Sequence, residues 1–346
     1  MSALAHLDLY GCYALTCLPE STGRLTSLKR LGLGDCMALT CLPNSTGQLA
    51  ALETLDLHSC VSLTCLPESV GQLLALQKLC LDGCCVLTSL PTTLGNLAAL
   101  THLDLSCLET CLPEWVGQLA GLKCLRLCEW TTLTSLGESL GQLTALTLLS
   151  LEGCTGLACL PESMGFLTTL TSLMLSWCTT LTCLPASAGQ LAALQTLNLD
   201  GCMALTCLPE SVGQLAALAT LSLESCTGLT CLPESASRLA ALAVLDVSNC
   251  PALPLTTRFV DAVGQLTSLR TLRFSLGIDN GGEPEQAGVV VANTRLAQFR
   301  SRELLLVCLG RRRHPLTRHR LPPELWQLID TLLWQSQPER WRLGRR

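Results

Sequence analysis

The chain has 346 residues, is 49% hydrophobic and only 3% aromatic, so leucine rather than aromatic side chains must build its core. Its mean hydropathy is +0.42, yet no apolar run reaches the roughly 18–20 residues that a membrane-spanning helix needs, so no membrane span is expected. The net charge of -5 divides unevenly: residues 1–276 carry 10 Lys/Arg against 20 Asp/Glu, and residues 277–346 carry 12 against 7. An acidic body with a basic tail argues against a nucleic-acid partner over most of the length and favours a basic protein partner.

The first residues, MSALAHLDLYGC, have neither the basic start nor the apolar stretch of a secretory leader. The expected location is therefore the cytoplasm, with the nucleus as the alternative. A repeat begins at once. Residues 52–75 read LETLDLHSCVSLTCLPESVGQLLA, and residues 194–217 read LQTLNLDGCMALTCLPESVGQLAA. The opening leucines fall at 4, 28, 52, 76, 100, 122, 146, 170, 194, 218, 242 and 269, and nine of the eleven intervals are 24 residues. A fixed period over this length predicts a solenoid, because one unit cannot bury its leucines alone while stacked units share a continuous core.

Within the unit, Leu55 and Leu57 alternate with period two and predict a short strand with one buried face. Cys60 closes that strand at a turn, and Leu63 and Leu66 return to the core. Pro67 suits the first turn of a short helical segment, Gly71 a tight bend, and Leu73 closes the coil. The predicted class is α/β: a curved solenoid over residues 1–276 with a parallel inner sheet and Pro-Glu-Ser-x-Gly segments outside. Strands about 4.8 Å apart give an inner face on the order of 50–60 Å long.

The 24-residue spacing and the Cys/Leu-Pro signature resemble the leucine-rich-repeat family, in particular the repeats of plant cytosolic disease-resistance receptors and of Ras-group scaffolds. The resemblance covers residues 4–276. It implies a non-catalytic surface for binding other proteins. It does not carry over an immune-receptor role, because the chain has no G-x-x-x-x-G-K-[ST] phosphate loop.

Irregularities stand out in chain order. The start lies inside a repeat, at Leu4 and Leu7, which predicts either an upstream truncation or an unpaired strand edge open to self-association. The repeat at 100 lacks two residues, and the next has Trp130 in the turn position and Gly137 in place of proline, so a kink or bulge is expected there. The repeat at 242 holds an insertion, LPLTTRFVDAVGQL. Residues 277–294 read as a loop. Residues 295–346 read as a basic helical cap or docking segment, with helices near 295–309 and 322–334 and a basic cluster at Arg311–Arg313. LPPELWQLIDTLL resembles the opening of an F-box, which implies the alternative function of a ubiquitin-ligase adaptor.

The 23 cysteines fall mostly into two columns. Cys12, Cys36, Cys60, Cys84, Cys107, Cys154, Cys178, Cys202, Cys226 and Cys250 are assigned to the turn. Cys17, Cys41, Cys65, Cys111, Cys159, Cys183, Cys207 and Cys231 occupy the Thr-Cys-Leu-Pro slot. Both are structural positions first, and reduced thiols suit the cytoplasm. Ser89 and Ser135 replace cysteine in the second column, which marks it as small and partly exposed. Neighbouring thiols there fall within disulfide reach, so oxidation is expected to cross-link them.

No H-E-x-x-H, G-x-S-x-G or kinase motif is present, so no catalytic residue, metal or cofactor is expected. His6, His58 and His102 beside Asp8, Asp56 and Asp104 read as polar pairs on a solvated sheet. The third, fifth, seventh and eighth positions of each unit should face the concave side. That places Asp8, Arg30, Asp56, Lys78, Asp104, Arg126, Glu152, Asn198, Asp200, Glu224 and Asp246 on a largely acidic candidate protein-binding surface. Asp35, Asp82, Glu129 and Arg273 belong to the same face. Leu148, Met174 and Trp177, ringed by charge, form its candidate hot spot.

Overall fold

In the computed structural model, the structure describes residues 4–108, 112–254 and 257–274. The loop and the helices expected in 277–346, with the F-box-like segment and the basic cluster, lie outside the described residues. Twelve short strands run in sequence order through one parallel sheet, from β1 (His6–Asp8) through β2 (Arg30–Gly32) and β3 (Thr54–Asp56) to β12 (Thr271–Phe274). Each strand pairs with the next in register, so Leu31, Leu55 and Leu79 stack leucine on leucine. This is the predicted solenoid. Every rung adds its leucines at the opening, strand, turn and closing positions to one shared core, and most are fully buried, as Leu52, Leu55, Leu57, Leu63 and Leu73 are.

The outer segments are 3-10 helices of five residues, such as Glu68–Gln72. Proline stands one position earlier than expected. Pro67 has extended backbone (ψ 147°) and precedes the helix rather than opening it. Gly137 takes the same conformation in its rung, which is why the missing proline is tolerated. The expected kink or bulge is absent from the sheet. Strands β4 (Lys78–Cys80), β5 (His102–Asp104), β6 (Cys124–Arg126) and β7 (Leu148–Ser150) pair in unbroken register through the short rung (Lys78↔His102, His102↔Cys124, Cys124↔Leu148). The two missing residues fall between the turn at Leu108 and Pro113, outside the strands. The insertion in the repeat at 242 supplies an α-helix, α1 (Thr257–Gly264), that had not been anticipated from sequence. Its Phe259 and Val263 are buried against the last rungs.

In most rungs the turn after the strand holds a buried thiol. Sγ–H of Cys60, Cys84, Cys154, Cys178, Cys202 and Cys226 donates to the carbonyl of the leucine 27 residues earlier, at 3.0–3.2 Å. Of these carbonyls, those of Leu33, Leu57, Leu151, Leu175 and Leu199 also accept a backbone N–H inside their own turn, as Leu151 O does from Cys154 N. The cysteine therefore satisfies the second lone pair of a buried acceptor and fills the space beneath it. Burial pushes these thiols up, Cys84, Cys154 and Cys178 to about 12, so they stay protonated donors. One assignment needs correction. Cys107 lies one residue before the turn position, which Leu108 fills at 0% exposure. In the following rung Trp130 fills it, also fully buried.

Two further columns lock the outer face. The glycine of each Ser-x-Gly sits against the next rung: a Cβ on Gly71 would lie 2.4 Å from Thr93 O, and one on Gly213 2.4 Å from Ser235 O. Glutamates cap the next helix. Glu162 carboxylate oxygens accept the backbone N–H groups of Ala186 (3.1 Å) and Ser187 (2.9 Å), and Glu210 does the same for Glu234 and Ser235. These are the orphan donors of a helix start, satisfied from the preceding rung rather than from within.

Gly71→Ala is expected to lower unfolding free energy by about 1–3 kcal/mol, since the backbone it meets cannot yield. Gly121→Ala, whose nearest neighbour is 3.3 Å away, should cost much less; denaturant titration compares them. Cys178→Ala should cost about 1–2 kcal/mol through a void and a half-satisfied carbonyl. The Ser187 N–H bond holds the Glu162 carboxyl below its usual range. Its stabilisation is therefore fully present above the unfolded value of about 4.3 and is lost as pH falls through the depressed folded value. Glu162→Gln should lower Tm at pH 7 and match the parent in strong acid.

Candidate interaction face

Positions three and five of each rung point away from the leucine core, because strand side chains alternate. Register then builds two continuous columns on the open face of the sheet. One passes through Arg30, Thr54, Lys78, His102, Cys124 and Leu148; the other through Asp56, Cys80, Asp104, Arg126, Ser150, Met174 and Asn198. Asp8, Arg30, Lys78, Arg126, Trp177 and Glu224 are exposed. Asp56, Asp104, Leu148, Glu152, Met174, Asn198 and Asp200 are half-buried. Asp246 differs from the expectation. It is 3% exposed, accepts the backbone N–H of Ser248 and pairs with Arg273 at 3.2 Å. Arg273 closes over it, so this acid ties the last two strands together instead of facing the open surface.

The acids at position five share a local task that the sequence reading missed. Oδ1 of Asp8, Asp56, Asp104 and Asn198 accepts the backbone N–H two residues on, at 2.9–3.1 Å. That is an Asx turn, which explains why Asp and Asn recur where a strand must end. The turn then reaches position eight, which has positive φ in every rung from Gly11 to Asn249. Glycine occupies it at 11, 83, 153 and 201; Asp35, Ser59, Cys107, Glu129, Ser225 and Asn249 tolerate it. Trp177 stands there at φ +63°, the largest side chain in the column. A bulky residue in the left-handed region is strained. Its indole lies over Gly201 of the next rung: a Cβ on that glycine would meet Trp177 Cε3 at 2.6 Å. The tryptophan still remains 53% exposed. Leu148 and Met174 stand in adjacent columns of the same face, one rung apart (Leu148↔Ser172, Ser150↔Met174), and Met174 shares its rung with Trp177.

Charge on this face is uneven. Asp200 Oδ1 accepts Ser222 Oγ (2.6 Å) and Glu224 N (2.8 Å), binding two rungs at the edge of the tryptophan. Burial, then Asp246 and Asp200, raises the Glu224 carboxyl; burial, then Asp104, raises that of Asp82. These acids repel one another and gain from a nearby cation. Toward β1, Asp8, Arg30 and Asp56 are brought together around a cavity of about 300 Å³. The cavity exists because Gly32 and Gly34 carry no side chain, a signal the sequence held and the repeat consensus hid. His58 spans the gap: its Nδ1 bonds Asp56 Oδ1 at 2.8 Å and its ring meets Tyr10 at a 5.7 Å centroid separation. The Asp56 hydrogen bond raises the imidazole above its ordinary value. The pairing expected of His58 and Asp56 is therefore present. His102 instead bonds Thr101 Oγ1. Cys80, Cys124 and Cys128, unassigned in the sequence reading, also stand half-buried on this face. Among the described residues no group of three or more His, Cys, Asp or Glu is placed to hold a metal ion, and no helix is long and apolar enough to cross a membrane.

A profile of the leucine-rich repeat region matches residues 2–127 and 177–329. No curated protein matches in sequence. Among solved structures, the leucine-rich repeat domain of the type III effector XCV3220 (XopL) is 32% identical over 62% of this chain and 74% of that one, with a TM-score of 0.57. A plant peptide hormone receptor, RGFR1, in complex with RGF2 is similar at 23% identity and a TM-score of 0.55; the match covers 80% of this chain but only 48% of the receptor. An internalin (inlF) of Listeria monocytogenes matches at 16% identity and a TM-score of 0.51, over 78% of this chain and 80% of that one. The last two show the fold alone. With the matched profile spanning most of its length and its rungs stacked in one open parallel sheet, the chain belongs to the leucine-rich-repeat family.

Proposed function

We propose that the protein binds a basic partner protein on the open face of its sheet, with Trp177, Met174 and Leu148 as the apolar anchor and Asp200, Glu152 and Glu224 as the surrounding charge. The observation that carries this is Trp177. A tryptophan at φ +63°, where other rungs place glycine or a smaller side chain, costs roughly 1–2 kcal/mol and leaves half its surface in water. Strain kept at an exposed aromatic residue favours a role in contact rather than in folding. Carboxyl groups raised at Asp82 by burial and Asp104, and at Glu224 by burial, Asp246 and Asp200, favour a cationic partner, because a cation beside either would stabilise its charged form. The family's fold is used for protein interaction, and RGFR1 was solved with RGF2 bound. Arg30, Lys78 and Arg126 would set register along the face, together with Asp8, Asp56, Asp104 and Asn198. Asp246, covered by Arg273, would act on β12 only. A cytoplasmic location, a scaffold role in signalling and self-association through the edge of β1 belong to the same proposal. Leu4 and Tyr10 at that edge are exposed.

Trp177→Gly separates binding from folding. It should leave stability unchanged or raise it by up to about 1 kcal/mol, by relieving the left-handed strain. It should weaken a partner recovered by affinity capture at least tenfold, read by calorimetry or surface plasmon resonance. Glu68→Ala on the outer face should change affinity by less than twofold. Equal affinity in the parent and Trp177→Gly would remove the anchor; equal loss in both variants would remove the face.

A further inference from the structure

The two cysteine columns have opposite surroundings. From Cys36 to Cys250 the turn thiols are buried, protonated and committed to a carbonyl, whereas Cys12 in the first rung is exposed. In the second column Cys17, Cys65, Cys159, Cys183, Cys207 and Cys231 are exposed and Cys41 is half-buried, all as free thiols. Their spacing is set by the backbone immediately before them. Thr40 N–H donates to Thr16 O (3.1 Å), Thr64 N–H to Thr40 O (3.1 Å), Thr182 N–H to Ala158 O (3.3 Å) and Thr230 N–H to Thr206 O (3.0 Å). Each of these residues directly precedes a cysteine, so successive cysteines stand one rung apart in register. A rung spacing of about 4.8 Å lies inside the roughly 4.4–6.8 Å between Cα atoms that a disulfide requires. The threonine hydroxyls contact the thiols themselves, at 3.9 Å for Cys65 and 3.8 Å for Cys183. Serine at 89 and 135 divides the column, leaving one described run of three thiols (17, 41, 65) and one of four (159, 183, 207, 231).

We propose that this column is a redox-responsive staple, in which thiols on adjacent rungs close into disulfides by exchange with an oxidised low-molecular-weight disulfide such as oxidised glutathione. One thiolate attacks a sulfur of the oxidant and releases one reduced thiol, leaving a mixed disulfide. The neighbouring thiolate attacks the protein sulfur of that mixed disulfide and expels the second reduced thiol. The two protein S–H groups are oxidised to one S–S bond, and the two protons leave with the two reduced thiols. Parity sets the product. A run of four closes as two bridges, Cys159–Cys183 and Cys207–Cys231. A run of three closes as one and leaves a thiol that retains the small-molecule adduct. Each bridge ties rungs that unfolding would separate, through a loop of 24 residues.

The test treats the full chain, natively folded, with oxidised glutathione, blocks the remaining thiols and maps linked peptides by mass spectrometry. The expected result is two bridges within 159–231, one bridge plus one glutathione adduct within 17–65, unmodified buried turn thiols from Cys36 to Cys250, and a Tm raised by several degrees that returns on reduction. Cys207→Ser, a surface change that should fold normally, is expected to leave Cys231 as a glutathione adduct while Cys159–Cys183 still closes. Glutathione adducts on every column thiol with no intrachain bridge would overturn the proposal, as would bridges only between molecules. Closure of Cys183–Cys231 across the serine in Cys207→Ser would overturn its adjacent-rung geometry. No outcome depends on the partner, so this proposal and the binding face at Trp177 stand or fall separately.

Discussion

Everything in this molecule rests on each rung completing the next. A 24-residue coil has no interior of its own, so its leucines are dry only when another coil lies on either side. Its polar backbone is under the same constraint. Where the following rung carries the turn cysteine, the leucine carbonyl at the end of a strand takes a bond from its thiol, and Leu151 O has a further bond inside its own turn. The helix start on the outer face takes its missing acceptor from the preceding glutamate. Apolar burial, the cysteine ladder and the glutamate caps act between neighbours, which is why the sheet runs from β1 to β12 in sequence order without a crossover.

The same constraint leaves one face free. Once the leucines turn inward, strand positions three and five face outward in register, and whatever they carry becomes a continuous surface. Some of that chemistry serves the rung itself. Asp8, Asp56, Asp104 and Asn198 end their strands by capping the turn, and Asp246 joins β12 through Arg273. What no rung requires is a tryptophan in a left-handed position or a pair of glycines, Gly32 and Gly34, with the His58 ring lying against the second. These departures from the repeat set apart the two regions of the face that a partner could distinguish.

Departures from the consensus are absorbed by different means. Leu108 and Trp130 replace the turn cysteine with apolar bulk and remain fully buried. They fill the space of the thiol in a different way, and the strands on either side keep their pairing. The deletion in the repeat at 100 was expected to distort the sheet. It falls instead after the turn, where a rung's length is set by loop rather than by strand register.

The sequence alone determined the period, the strand positions, the buried leucines and the parallel sheet, because these follow from spacing and side-chain alternation. Trp177 was legible too, as an aromatic residue at an outward position. Tertiary structure decided what depends on the neighbouring rung: that Asp246 is covered, that Cys107 stands outside the ladder, that Gly32 and Gly34 open a cavity under His58, and that Trp177 sits in a left-handed turn over Gly201. Each is a contact between residues about two dozen positions apart, and a linear pattern records which residues share a rung but not what the next rung places against them.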